Sequence, residues 1–319
     1  MEKEASTYRY LFGPVFSRRY GRSLGVDMVE PKTCSFNCVF CQIGETESTT
    51  VQQQKSPPAD SVIGEIEVWM ENKGQCDVIT LAGSGEPTLN GEFGRVLAYI
   101  RKHTTYPSLL LSNGSLFFME DIRRQALNAD IVKLSLHAWN QETFSRITRA
   151  HPSLRFRKII EGYRAFRNEF TGRIDLEVFV VPGVNDSKEQ MLNIAEIAST
   201  FRPDSVFLNT AVRPPAESAV KEASKESMDK LAGLFGDIAV KPVALPQVKK
   251  IHYSDEAVLQ LTRRHPASAK QLTGQFDIAH DQLVIRLENL ARNGKIDLQH
   301  LKGEMFVSSQ TCKQNNRKF

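Results

Sequence analysis

Six short apolar segments, each followed by a longer segment with helical spacing, are the feature that most constrains the fold of this chain. Most of the short segments are rich in β-branched residues, which is typical of buried parallel strands. Repeated strand–helix units predict a parallel α/β sheet with right-handed crossovers. Six units are too few for a complete eight-fold barrel, so a partial open barrel and a doubly wound sheet both remain possible. The predicted strands cover residues 23–29, 77–82, 108–112, 130–136, 173–181 and 204–209.

The pattern changes after residue 238. Up to that point the predicted helices cover residues 61–72, 91–103, 119–127, 154–170, 187–200 and 224–238. Residues 239–250 contain two prolines and little periodicity, so we interpret them as a linker, with a last strand as the alternative. Three short helices and a hairpin turning at Lys302-Gly303 then resemble a winged helix-turn-helix domain over residues 251–310. The polar residues 311–319 are predicted to form a disordered tail.

The composition narrows the class of protein. No apolar run approaches the roughly 20 residues that a membrane helix needs, and the first residues lack the apolar core of a secretory signal. We therefore expect a cytoplasmic protein without a membrane partner. The formal charge of +4 falls entirely after residue 249, which leaves a neutral body with a mildly basic end.

The five cysteines are unevenly placed. Cys34, Cys38 and Cys41 have the spacing C-x3-C-x2-C, whereas Cys76 and Cys312 stand alone. An odd number of cysteines in a non-secreted chain argues against a disulfide framework and favours a metal or redox centre. A structural zinc site normally needs four ligands. A [4Fe–4S] cluster also usually takes four cysteines, so three would leave one iron open.

The residues around these cysteines resemble the radical S-adenosylmethionine superfamily. CSFNCVFC matches the C-x3-C-x-aromatic-C signature of that family, with Phe40 in the aromatic position. After the second predicted strand, GSGEPT at 83–88 looks like the family's G-G-E-P motif, with Ser84 in place of a glycine. The resemblance covers about residues 10–236 and implies a partial (β/α)6 barrel of the TIM type, followed by the small winged-helix-like domain.

The flanking segments resemble one subgroup, the iron–sulfur oxidoreductases related to wyosine-type tRNA synthases. The similar segments are residues 13–27, 82–89, 178–186 and 208–217. Known wyosine synthases carry further cysteines for a second cluster. Cys76 and Cys312 are too few to supply them, which counts against a tRNA substrate.

By this resemblance, Cys34, Cys38 and Cys41 hold a [4Fe–4S] cluster and S-adenosylmethionine binds its open iron. One electron cleaves the sulfur–C5′ bond, giving methionine and a 5′-deoxyadenosyl radical that takes a hydrogen atom from the substrate. The substrate, a macromolecule or a metabolite, is not identified by the sequence. An electron donor such as flavodoxin or ferredoxin is the implied partner.

The resemblance also implies the residues that bind S-adenosylmethionine. Glu86 is expected to bind its ammonium group, and Phe40 is expected near the adenine. His137 is a candidate catalytic residue, with a ribose contact and a structural role as alternatives. The cofactor set is Phe40, Gly83, Gly85, Glu86, Pro87, Ser112, Asn113 and Ser135.

Four arginines are candidates for binding an anionic substrate: Arg18, Arg19 and Arg22 before the first predicted strand, and Arg213 after the sixth. Solvated or structural roles are the alternative. Asn185-Asp186 is interpreted as an N-cap of the helix that follows it.

Two other functions remain open at this stage. The first is the same radical chemistry applied to tRNA bases. The second is an iron–sulfur redox sensor that binds DNA through the C-terminal domain. The slim basic surplus of that domain supports nucleic-acid binding only weakly.

Overall fold

The computed structural model describes residues 8–241, 250, 252–262, 266–301 and 303–309. Its main body is a seven-stranded sheet in which the strands follow one another in chain order. The strands are β1 (Leu11–Ser17), β2 (Gly21–Val26), β3 (Val78–Leu81), β4 (Ser108–Leu111), β5 (Ile131–Ser135), β6 (Arg173–Phe179) and β7 (Ser205–Asn209). Strands β2 to β7 are parallel, and β1 pairs with β2 in the antiparallel direction. The partial barrel of six parallel strands is confirmed, and β1 is an addition that the periodicity did not predict.

The helices that join these strands cover the sheet on its convex face. They are α1 (Ala59–Glu71), α2 (Phe93–His103), α3 (Glu120–Ala126), α4 (Gln141–Thr148), α5 (Phe156–Glu169), α6 (Lys188–Ser199) and α7 (Lys225–Ala232). Six of them match predicted helices, whereas α4 was not predicted. It follows Asn140, whose side chain accepts a hydrogen bond from the Thr143 amide and caps the helix.

The two faces of the sheet differ in chemistry, because successive side chains of a strand point to opposite sides. In β5, Val132 and Leu134 belong to the main hydrophobic core, while Lys133 and Ser135 alternate with them and face the concave side. In β6, Glu177 likewise alternates with core residues. The concave side of the half barrel is therefore polar and charged along β5 and β6.

The β1–β2 turn crosses this concave side. The Tyr20 hydroxyl donates a hydrogen bond of 2.9 Å to Asp175 in β6, and Arg19 forms an ion pair with Glu177. The Arg19 guanidinium lies 5.1 Å from the ring centroid of Phe207 in β7. The turn thus joins the first and last parts of the open sheet.

The C-terminal residues form a second, smaller core. Its elements are α8 (Asp255–Thr262), β8 (Ala267–Ser268), α9 (Ala269–Gln275), α10 (His280–Arg292), β9 (Ile296–Leu301) and β10 (Glu304–Ser309), and its sheet has the order β8-β10-β9. The predicted three helices and hairpin are present, with β8 as an extra strand. Leu272, Phe276 and Leu287 are buried in this core, and Val15 of β1 packs against it.

The segment between the two cores starts on the half barrel. Val240 forms a parallel bridge with Val206 of β7, so the predicted linker begins as a short addition to the sheet edge. Cys312 and the predicted tail lie outside the described residues. Within the described part of the chain, no helix combines the length and the apolar character that crossing a membrane requires.

Candidate cluster and cofactor site

The three clustered cysteines lie in the loop after β2, at the carboxyl end of the parallel strands. Their side chains are partly buried, and none is in a disulfide. The loop folds back on itself: the Cys41 amide donates a 3.0 Å hydrogen bond to the Cys38 carbonyl, and the Thr50 amide donates one of 3.0 Å to the Cys34 carbonyl. This is the edge at which parallel α/β proteins build their sites.

The unpredicted helix α4 anchors this loop. The amides of Asn37 and Val39 donate hydrogen bonds of 2.9 and 3.0 Å to the carbonyls of Thr148 and Ile147. These carbonyls belong to the last turn of α4, where a helix leaves carbonyl groups without intrahelical partners. The end of α4 therefore satisfies its own backbone by holding the residues between the cysteines.

The donor set fits a polynuclear iron–sulfur centre. Burial raises the pKa of the Cys34 thiol to about 12 and that of Cys38 well above its usual value, and the negative charge of Cys41 adds to both effects. A bound metal centre lowers the pKa of these thiols again, since thiolates are its ligands. Among the described residues, no three acidic, cysteine or histidine side chains converge closely enough for a single ion. A cluster in which each thiolate meets a different iron does not require such convergence.

The GSGEP segment after β3 packs directly on the cysteine loop. The Lys32 amide donates a 2.7 Å hydrogen bond to the Ser84 carbonyl, and the Glu86 amide donates one of 2.9 Å to the Thr33 carbonyl. A Cβ at Gly85 would lie 2.0 Å from the Thr33 carbonyl oxygen. Only glycine fits at position 85, because the two loops touch there through their backbones.

Ser84, which replaces a family glycine, has a partner of its own. Its amide and hydroxyl donate hydrogen bonds of 3.1 and 2.5 Å to the two carboxylate oxygens of Asp27, which is buried just after β2. The neighbouring Gly83 has φ +126, and a Cβ there would lie 2.7 Å from Asp27. The serine thus joins the loop after β3 to the end of β2.

Glu86 is buried, with 2% of its surface exposed. Oε1 accepts hydrogen bonds from the Thr88 amide (3.1 Å), the Thr88 hydroxyl (2.6 Å) and the Ser112 hydroxyl (2.7 Å). Oε2 accepts one bond of 2.7 Å from the Asn113 amide, which leaves Oε2 with capacity for a further donor. The carboxylate is held between the loops after β3 and β4.

The predicted cofactor residues at the ends of β4 and β5 lie near the Glu86 carboxylate and the cysteine loop. The Asn113 side-chain nitrogen lies 2.9 Å from the Ser35 hydroxyl and 3.7 Å from Cys34 Sγ. Pro87 starts a single 3-10 turn behind Glu86 and is buried. The Ser135 hydroxyl accepts a 3.4 Å contact from Lys133. The loops after β3 and β4 therefore place Glu86 and Asn113 together, with Asn113 beside Cys34, while Ser135 lies at the end of the adjacent strand β5.

Phe40 and His137 pack against one another. Phe40 stacks on Phe179 at 3.9 Å between ring centroids, and its ring is perpendicular to His137 at 4.9 Å. His137 Nδ1 accepts a 2.9 Å hydrogen bond from the Phe179 amide, so that nitrogen carries no proton and Nε2 does. Burial lowers the pKa of His137 to about 4, with a smaller contribution from the Lys133 charge. At neutral pH His137 is an uncharged hydrogen-bond donor.

Asn185 has a different role from the predicted N-cap. The helix α6 is capped by Ser187, in a capping box with Gln190. Asn185 is fully buried and donates hydrogen bonds of 2.8 Å to the carbonyls of both His137 and Phe179. It joins the ends of β5 and β6, a contact between distant segments that no local pattern indicates.

The four candidate arginines separate into two groups. Arg22 lies at the amino end of β2, is half-buried and pairs with Asp77 at 2.9 Å. The structure does not bring Arg22 to the other three. Arg19 pairs with Glu177 on the concave side. Arg18 and Arg213 lie there too, within range of the Arg19 charge. Arg213 donates to the side-chain oxygen of Gln42, next to Cys41, at 3.1 Å.

Cys76 is remote from this edge. It is buried in the main core just before β3, at the opposite end of that strand from Gly83 and Glu86. Burial raises the pKa of its thiol to about 12. It serves as a core residue in the structure.

The structure thus places a three-cysteine loop, whose donor atoms suit an iron–sulfur cluster, at the carboxyl edge of a half barrel. Comparison with known proteins agrees. Residues 31–195 match the family model described as the radical SAM superfamily. The chain belongs to the radical SAM superfamily, whose members are enzymes that use a [4Fe–4S] cluster and S-adenosylmethionine.

The chain is also similar to individual proteins. A UPF0026 protein of Methanocaldococcus jannaschii is 28% identical over 307 residues, which cover 92% of this chain and 94% of the relative. A protein of Brachyspira hyodysenteriae named GTPase Obg is 34% identical over 294 residues, but the chain spans only 43% of its length. A radical SAM methyltransferase from Sphaerobacter thermophilus has the same fold, with a TM-score of 0.53, 20% identity and coverage of 69% of this chain and 65% of that one.

Proposed function

We propose that Cys34, Cys38 and Cys41 are the cluster ligands of this enzyme, and that S-adenosylmethionine binds at the edge formed by the loops after β3, β4 and β5. Bound there, the cluster and S-adenosylmethionine supply a one-electron cleavage of the sulfonium and a hydrogen-abstracting radical. The observation that carries the proposal is the direct contact of the GSGEP segment with the cysteine loop through the Thr33 carbonyl.

The residues of the chain then have separate tasks. Glu86 fixes the loops after β3 and β4, and its Oε2 has capacity left for the cofactor ammonium. Asn113 orients the Cys34 thiolate through its side-chain amide. His137 presents a neutral Nε2–H donor beside Phe40, which suits a hydroxyl of the ribose or of the substrate. Ser112 acts through Glu86 and is a positioning residue.

The electron enters from a partner protein in this proposal. A small flavodoxin or ferredoxin is the class of donor that fits, since the partly exposed cysteine loop lies at the rim of the half barrel. The compartment we propose for this reaction is the cytoplasm, where such thiols stay reduced. The C-terminal domain is proposed to be a winged-helix-like module that helps to enclose the substrate.

The test is anaerobic reconstitution with iron and sulfide, followed by addition of dithionite and S-adenosylmethionine. We expect about four irons per chain and release of 5′-deoxyadenosine. Cys38→Ala should abolish both, whereas Cys76→Ala is the matched control, because it removes a thiol that is buried in the core. Binding of zinc instead of iron, or iron content that survives in Cys38→Ala, would contradict the proposal.

A further inference from the structure

Around Glu177 the concave side holds more cationic than anionic side chains, since Asp175, two residues earlier on the same face of β6, already pairs with Arg173 at 2.8 Å. Four cationic side chains, Arg18, Arg19, Lys133 and Arg213, lie within electrostatic range of one carboxylate, that of Glu177, or of one another. All four are at least partly buried. Burying cations without enough anions is unfavourable, so this arrangement calls for an explanation.

Glu177 is already fully used. Arg19 forms an ion pair with its Oε2, and Lys133 Nζ lies 3.8 Å from its Oε1. Despite burial, which raises it, the pKa of Glu177 is held far below its usual value, because the charges of Arg19 and Lys133 outweigh burial. This carboxylate balances two cations and has no capacity for two more.

Arg18 and Arg213 therefore have no carboxylate in direct contact, although Arg18 lies within range of the Glu177 charge. Within the described ranges, neither forms an ion pair with a carboxylate. Among the described residues, Arg213 donates hydrogen bonds to the amide oxygens of Gln42 at 3.1 Å and Gln271 at 3.4 Å, and its Nε is buried without a hydrogen-bond partner. Burial lowers the pKa of Arg213 to about 10, and the charges of Arg18 and Arg19 add to this.

The cluster does not account for these two arginines. The cations whose charge acts on the thiols are Lys32 at Cys41 and Lys133 at Cys38. Arg213 is instead coupled to Arg18 and Arg19 on the concave side. On its other side Arg213 meets α9 of the C-terminal domain through Gln271. One turn after Gln271 on the same helix, Gln275 also has a buried side-chain nitrogen without a hydrogen-bond partner.

We propose that Arg18 and Arg213 bind an oxyanionic group, a phosphate or a carboxylate, of a small substrate enclosed between the half barrel and α9. The inference rests on the proposed function, since it names the substrate class of that same site. Guanidinium groups suit such anions because they donate paired hydrogen bonds in one plane. A bound anion would also satisfy Arg213 Nε and balance the buried charge.

The enclosed position favours a small molecule over RNA. Binding to a nucleic-acid backbone relies on basic residues that are spread over an accessible surface. Here the unpaired cations lie inside the half barrel, at least partly buried, and one is covered by α9. The oxyanion is therefore placed on a metabolite-sized substrate.

The experiment titrates inorganic phosphate, citrate and a single-stranded RNA oligonucleotide into the reconstituted holoprotein with S-adenosylmethionine, by calorimetry. Phosphate or citrate should bind the wild type, and Arg18→Gln and Arg213→Gln should each weaken that binding about tenfold or more. Arg213→Lys keeps the charge and should recover part of the affinity. Arg22→Gln is the matched control with unchanged binding, because Arg22 lies at the amino end of β2 and is paired with Asp77.

The preferred anion identifies the substrate group as phosphate or carboxylate. Equal binding to wild type and Arg213→Gln, or no binding of either anion, overturns the inference. Binding of RNA that phosphate does not displace also overturns it, as does loss of S-adenosylmethionine affinity in Arg213→Gln. Iron content and 5′-deoxyadenosine release, measured on the same samples, report separately on the proposed function.

Discussion

At the scale of single residues, Glu86 shows how a buried carboxylate can be part of a backbone scaffold. Its four hydrogen bonds come from the loops after β3 and β4, so both loops depend on one side chain. A charged acceptor suits this position because every neighbouring group is a donor. The motif alone predicted a cofactor contact and could not indicate the internal bonds, since Ser112 and Asn113 are distant in sequence.

Glu86→Gln is expected to lower the free energy of unfolding of the reconstituted protein by about 2–4 kcal/mol, because the new amide group would face donors instead of accepting from them. Binding of S-adenosylmethionine should fall in parallel. Urea denaturation and equilibrium binding measure the two effects. Glu67→Gln on the exposed face of α1 is the control. An unchanged stability for Glu86→Gln would show that the hydrogen bonds around Glu86 contribute little.

His137 links stability to pH. Burial lowers its pKa in the folded protein to about 4, so below the unfolded value of about 6.5 the unfolded chain binds the proton more readily. Stability should therefore fall as the pH drops from 6.5 towards 4, by about 2 kcal/mol at pH 5. The loss due to Glu177 begins only below its own unfolded pKa of about 4.3.

His137→Asn should remove this component while keeping an acceptor for the Phe179 amide. Urea denaturation at pH 8 and at pH 5 tests this. The wild type is expected to lose about 2 kcal/mol more than the variant between the two values. Identical pH dependence in both proteins would contradict the neutral, buried state of His137.

At the scale of elements, the prediction succeeds where periodicity is strong and fails where a short segment depends on tertiary contacts. The six parallel strands are apolar runs bounded by turns, and all six are found. Helix α4 has only eight residues. Its structural role is to hold the cysteine loop through the carbonyls of Ile147 and Thr148. The cap at Asn140 and the spacing of Phe144, Ile147 and Thr148 are the signals that could have indicated it.

Asn185 also depends on contacts between distant segments, because it joins β5 to β6 through three hydrogen bonds to the backbone. Asn185→Ala should leave two buried carbonyls and the Val181 amide without their partner and should cost about 2–4 kcal/mol. The iron content should be less affected than the stability, because the side-chain hydrogen bonds of Asn185 within the described residues go to Val181, His137 and Phe179 and not to the cysteine loop. Calorimetry and iron analysis measure both.

Asp186→Asn, at the adjacent half-buried position, provides the comparison. An equal effect of the two substitutions would argue against the role of Asn185.

At the scale of the whole molecule, β1 connects the half barrel to the C-terminal domain. It pairs with β2 on one side, and Val15 packs against the second core on the other. The antiparallel β1–β2 turn also brings Arg18 and Arg19 to the concave side. The sequence indicates these arginines as candidates for anion binding. It does not distinguish Arg18 and Arg213 from Arg22, because their partners lie far away along the chain.

Val15→Asp should weaken the contact between the two cores, because a carboxylate would enter an apolar interface. We expect calorimetry to resolve two unfolding transitions where the wild type has one, and limited proteolysis between residues 241 and 252 to accelerate. Val68→Asp on the exposed side of α1 controls for the added charge. A single, unshifted transition in Val15→Asp would show that Val15 does not couple the domains.

In the proposed site, three thiolates hold the cluster and leave one iron open for S-adenosylmethionine. Electron paramagnetic resonance of the dithionite-reduced protein, recorded with and without S-adenosylmethionine, tests this claim. We predict a [4Fe–4S] signal that changes when S-adenosylmethionine is added, that is absent in Cys34→Ala, and that is retained in Cys76→Ala. A signal that S-adenosylmethionine leaves unchanged, or one that persists without Cys34, would contradict the claim.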